Sequence, residues 1–127
     1  MKDFSIQLTD RPGDLARVAE ALAARGVNIK GLAAIRAAGQ ALVHVIPDDI
    51  EAARSAFEEA NIRFTESEVN TVLLENKAGQ LADVTRRLGE GGVNLEAVYL
   101  TGVLDDLIEV AFVSDNSKKA KKLLREF

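Results

Sequence analysis

Asp10 and Asn28 stand 18 residues apart, and Asn76 and Asn94 repeat that interval 66 residues further along. Gly13 and Gly79 follow the first member of each pair at the same distance. These residue types suit a small zwitterion. An asparagine amide offers both a donor and an acceptor. Amides of a turn that opens a helix attract a carboxylate. A glycine in that turn lets the backbone approach a ligand with no Cβ in the way. The same residues also have a plainer use. Asp or Asn before Gly is ordinary turn chemistry, and Asn after Gly closes a helix end. Spacing alone leaves both readings open.

Other chemistries find little support. The chain has no cysteine, which removes disulfides, thiolate nucleophiles and cysteine metal sites. His44 is the one histidine, and no motif supplies the nucleophile or orienting carboxylate that a catalytic histidine needs. It reads as a strand residue facing a partner or solvent, with a place in a pocket as the alternative. Asp48-Asp49-Glu51 and Asp105-Asp106 lack the spacing of a calcium loop and read as a helix cap and a hairpin turn. Gly89-Glu90-Gly91-Gly92 follows a helix, so its amides point the wrong way for a phosphate loop. Lys118, Lys119, Lys121, Lys122 and Arg125 form a basic run, but the net charge is −4. The third strand of each unit lacks the aromatic set on which RNA-binding sheets stack bases. The expectation is no enzyme, no metal, no cofactor and no nucleic-acid partner. No segment is long and apolar enough for a signal peptide or a membrane span, so a cytoplasmic protein is expected.

The elements around the two pairs repeat as well. Phe4, Ile6 and Leu8 alternate with Ser5, Gln7 and Thr9, the pattern of a strand with one buried face. Arg11-Pro12-Gly13 stops it. Leu15, Val18, Ala19 and Leu22 then recur at helical spacing, and Gly26 caps the helix end. Val27–Ala37 and Gln40–Ile46 form a hairpin across Ala38-Gly39. Asp48 and Asp49 open a second helix with the apolar face Ile50, Ala53, Phe57 and Ala60. Ile62–Val69 returns as a fourth strand. The order is β-α-β-β-α-β, the ferredoxin-like arrangement.

Asn70–Glu75 starts the same order again. It continues through a helix carrying Leu81, Val84 and Leu88, strands Val93–Leu100 and Asp106–Val113, and a helix carrying Ala120, Leu123, Leu124 and Phe127. Beyond Asn94 the match needs one extra residue, which aligns Asp48 with Asp115. The expected class is α+β, with two tandem ferredoxin-like units at 1–69 and 70–127. The second unit lacks a last strand. An open sheet edge is usually covered or paired. A homodimer would cover it, and a long strand from Ile62 serving both units is the alternative.

"TDRPGDLARVAEALAARGVNI" closely resembles the signature of ACT domains, small regulatory modules that bind amino acids. "ENKAGQLADVTRRLGEGGVNL" is a second copy, with Lys77-Ala78 where Arg-Pro is common. The resemblance spans nearly the whole chain and implies a non-catalytic regulatory protein with an amino acid bound at an interface between ACT units. It implies that Asp10 with Asn28, and Asn76 with Asn94, hold that ligand, as two asparagines do in serine-sensing members. Arg11, Gly13, Asp14, Leu15 and Ile29 accompany the first pair, and Lys77, Gly79, Gln80, Leu81 and Leu95 the second. Serine sensors carry a histidine two residues before the loop asparagine, where this chain has Leu8 and Leu74, so serine specificity does not carry over. Asp10 and Asp14 add negative charge to the first loop, which leaves the second as the better carboxylate cradle. A regulated enzyme is a possible partner. The alternative is a protein–protein scaffold that keeps the ACT fold and has lost its ligand.

Overall fold

Alternating residues at the start of the chain form β1 (Lys2–Leu8), with Phe4 and Ile6 fully buried. It is followed by α1 (Asp14–Ala24), β2 (Ile29–Ala37), β3 (Gln40–Pro47), α2 (Ile50–Glu59) and β4 (Thr65–Glu68). A second series follows: β5 (Asn70–Glu75), α3 (Gln80–Glu90), β6 (Leu95–Leu104), β7 (Leu107–Ser114), α4 (Ser117–Leu123) and a 3₁₀ turn, Leu124–Glu126. This computed structural model describes residues 1–127. The chain divides into two compact units, Met1–Ser67 and Glu68–Phe127.

The first unit holds a four-stranded sheet in the order β2-β3-β1-β4, the ferredoxin-like order. β3 runs antiparallel to both β1 and β2. Val18 and Leu22 of α1 and Ala53 and Phe57 of α2 pack on the face that carries Phe4, Ile6, Val43 and Val45. Phe4, Phe57 and Phe64 form an aromatic cluster with ring centroids 5.3–5.7 Å apart, a spacing at which tilted rings attract beyond their burial.

The second unit holds three strands in the order β5-β7-β6. Its core is Val72, Leu74, Val84, Leu88, Val110, Phe112, Ala120 and Leu124. β4 and β5 are separate strands of different sheets. The extra residue of the second copy has a definite place. Both long hairpins carry an irregularity at equivalent positions, Ile29/Gly31 and Leu95/Ala97, and β6 alone has another between Leu100 and Gly102. A bulge of this kind absorbs one residue without turning the following side chains to the wrong face.

Several residues of the helical stripes stay exposed. Leu15 and Leu81 lie in the first turn of α1 and α3, at the loop end. The residues one and two turns further in, Val18 with Leu22 and Val84 with Leu88, are the ones that reach the sheet. Ala19 and Phe127 are also exposed.

Candidate functional site

The two strand-to-helix loops share their geometry. Gly13 and Gly79 precede α1 and α3 with φ of 89° and 92°, a left-handed conformation that favours glycine. No side chain caps either helix, so first-turn amides remain open, as at any uncapped N-terminus.

The loops differ in what already occupies them. In the first, the Asp14 carboxylate accepts from the Thr9 hydroxyl at 2.8 Å and from the Arg11 amide at 3.3 Å. The Thr9 bond is the main reason that its pKa lies below the ordinary carboxylate value. Asp10 sits at φ 57° and pairs with Arg36, whose Nε lies 2.7 Å from Oδ2. Arg36 therefore neutralises the charge that the sequence sets against a ligand carboxylate at Asp10. Asp14 remains an internal anion on the loop.

The second loop has Gln80 where the first has Asp14, and Ala78, with its N–H, where the first has Pro12. Lys77 pairs at 2.8 Å with Glu75, which raises the lysine pKa and lowers that of the glutamate. The Asn76 amide donates to Asp106 O and the Lys77 amide to Glu75 O. The amides of Ala78 and Gly79 have no acceptor within the chain.

Asn28 and Asn94 are held by their backbones. The Asn28 amide donates to Asp48 Oδ1 at 3.0 Å, and the Asp48 amide returns a bond to Asn28 O. Asn94 and Asp115 make the same two bonds at the same distances. Both asparagines are exposed, with their side-chain amides unengaged. The Asp48–Asp115 alignment in the sequence was the available signal for this clasp.

Within a unit the structure does not bring loop and asparagine together. Leu8 lies opposite Ala41, and Ile29 lies opposite Pro47. The six residue steps along β3 between those positions span about 20 Å. In the second unit Glu75 lies opposite Leu107 and Leu95 opposite Ser114, and the separation is about 24 Å. Asp10, Arg11, Gly13, Asp14 and Leu15 thus gather at one end of the first sheet, with Asn28 and Ile29 at the other. Asn76, Lys77, Gly79, Gln80 and Leu81 are divided from Asn94 and Leu95 in the same way. One unit alone cannot clamp a small ligand between its two candidate positions.

His44 has a partner that the sequence did not disclose. Its Nδ1 lies 2.9 Å from Oδ2 of Asp3, the buried charged residue of the first sheet. Asp3 and His44 share the sheet face opposite the helices, and this pairing gives Asp3 a reason to be buried.

The family model for the ACT domain pair matches residues 1–126. Among solved structures, protein BT0572 from Bacteroides thetaiotaomicron is similar at 26% identity and a TM-score of 0.87, over 98% of this chain and 86% of that one. The ligand-free regulatory subunit of aspartate kinase from Thermus thermophilus is 17% identical with a TM-score of 0.67, over 98% of this chain and 90% of that one. The corresponding subunit from Thermus flavus is 18% identical with a TM-score of 0.65, at the same coverage. Among curated proteins none matches the chain. No helix is long and apolar enough to cross a membrane.

Proposed function

Because the chain belongs to the family of ACT domain pairs, we propose that it is a non-catalytic regulatory protein whose ligand is a small amino acid. The observation that carries this reading is the loop before α3. Gly79 is left-handed, the helix is uncapped, and the Ala78 and Gly79 amides point to no acceptor of the chain. That is a cradle for an α-carboxylate. Asn76, Lys77, Gln80 and Leu81 surround it. The exposed amide of Asn28 or Asn94, beside Ile29 or Leu95, takes the ammonium group. Loop and asparagine lie at opposite ends of each unit, so the site needs two ACT units to complete it. Ligand then favours one arrangement of units over another by differential affinity, and the change passes to a second copy in a homodimer or to a regulated enzyme in the cytoplasm.

A thermal melt against the twenty amino acids tests the reading. A reporter dye is needed because the chain has no tryptophan. Ligand at 100 times its dissociation constant adds about 2.7 kcal/mol of stability. A rise in midpoint with one or two amino acids, lost in Gly79→Ala and Asn94→Ala, supports the site. A midpoint indifferent to all twenty sinks it. That result would favour a scaffold that keeps the fold without the ligand. The observation on that side is Asp14, whose carboxylate already occupies the first loop.

A further inference from the structure

A cavity in the first unit adjoins the first strand-to-helix loop and shares Thr9, Arg11 and Asp14 with it. It holds about 220 Å³ between the end of β1, the first two turns of α1 and the segment Asn61–Arg63 that leads into β4. Three guanidinium groups, Arg11, Arg17 and Arg63, line it against a single carboxylate, Asp14. That is an excess of two positive charges in a chain whose net charge is −4.

The single carboxylate is already satisfied by Thr9 and the Arg11 amide. Arg17 is fixed at the rim because its Nη2 donates to the carbonyls of Ala60 and Asn61 at the end of α2. Arg11 gives only its Nε, to the Thr9 hydroxyl. Arg63 is exposed and makes no ion pair or side-chain hydrogen bond. Guanidinium donors that remain unengaged around a concavity match a compact anion with several acceptor oxygens.

The repeat supplies a control. At the shift of 66 residues Arg11 becomes Lys77 and Arg17 becomes Asp83. Lys77 is paired with Glu75, and Asp83 with Arg86. The second unit therefore builds the same strand–loop–helix without the counterparts of Arg11 and Arg17, so the fold does not require those two.

We propose that this cavity binds a small dianion, a phosphoryl group or a dicarboxylate, through Arg11, Arg63 and the unengaged side of Arg17. Its volume lies below the roughly 300–1,000 Å³ of drug-sized pockets, which favours a compact ligand. The proposal does not depend on amino-acid binding, and its test uses no amino acid. The full chain is titrated calorimetrically with orthophosphate, malonate and acetate at one fixed ionic strength. Saturable binding of orthophosphate, malonate or both, with none of acetate, is expected. Orthophosphate alone assigns the phosphoryl class, and malonate alone the dicarboxylate class. Arg63→Gln should weaken binding about tenfold or more, with Arg63→Lys recovering part of it and the melting midpoint unchanged in both. Absence of saturable binding by either dianion overturns the proposal, as does unchanged affinity in both Arg63→Gln and Arg11→Gln.

Discussion

Asn28 and Asn94 each divide their work between backbone and side chain. The backbone N–H and C=O close a two-bond clasp with Asp48 or Asp115, while the side-chain amide is exposed and unengaged. The two halves are separable by mutation. Asn94→Ala keeps the clasp, so its unfolding free energy should stay within about 0.5 kcal/mol of the parent, while affinity for the amino acid identified by the melt falls. Asp115→Ala leaves the asparagine in place and removes the acceptor of its amide. That change should cost about 1 kcal/mol by chemical denaturation. Equal stability losses in the two variants would show that the asparagine side chain is structural. The glycines make a second residue-level case. A Cβ built on Gly13 or Gly79 meets nothing within 4 Å, yet both have φ near 90°. Gly79→Ala should therefore lose about 1–2 kcal/mol from backbone conformation alone. At Gly91 the opposite holds. Its φ is −77°, and an added Cβ would clash with the side chain of Leu123, so any penalty there comes from repacking one leucine of α4.

At the scale of elements, α2 is fastened at its N-terminus and at its middle. Asp49 caps it by accepting from the Ala52 amide at 3.0 Å, as Asn116 caps α4 by accepting from Lys119. Arg54 on α2 then grips Glu66 of β4 with two bonds of 2.7 and 2.8 Å. The arginine bond holds the Glu66 pKa below its ordinary 4.5 and pushes that of Arg54 up. A carboxyl group with a depressed folded-state pKa adds stability above its unfolded value and loses it as pH falls through the folded one. Glu66→Gln should therefore melt below the parent at pH 7, and the two curves should converge as pH drops below about 4.5. A constant gap at every pH would assign the effect to packing instead. Much of this architecture was legible in the sequence, because strands with one wet face alternate and helices that rest on a sheet repeat their apolar residues. Even the single inserted residue could be anticipated and proves to be the bulge at Leu100/Gly102. The partners were not legible. Arg36 reaches Asp10 because β2 and β1 flank β3 in register, and Asp3 meets His44 because β1 pairs directly with β3 and sets the two diagonally on one face. Those pairings join residues 26 and 41 positions apart, and no local pattern encodes them. Nor did the loop residues disclose that Asp14 would turn back on Thr9.

At the scale of the whole molecule, the two copies have diverged around one plan. The first completes a four-stranded sheet, while the second has three strands with β5 and β6 outermost. β6 is ten residues long and exposes Val98, Leu100, Val103 and Leu104, the last at 71%. A long apolar edge strand with unpaired backbone groups is a template for another strand. Proteins blunt such edges with lysine, proline, short length, charge or bulges; β6 is long and has no lysine or proline, and its Glu96 and two bulges still leave Val98, Leu100, Val103 and Leu104 exposed. We propose that this edge pairs with a second copy, which would also supply the further ACT unit that the proposed amino-acid site requires. Sedimentation equilibrium should then give twice the 13.7 kDa of one chain, and the melting midpoint should rise with protein concentration, as mass action demands of a dimer. Leu100→Lys with Val103→Lys places charge on that edge without touching either core, because both residues are already exposed. The double variant should dissociate at concentrations where the parent is dimeric and should lose amino-acid affinity in step. A parent that sediments as a monomer at every concentration would remove both the dimer and the two-copy form of the site.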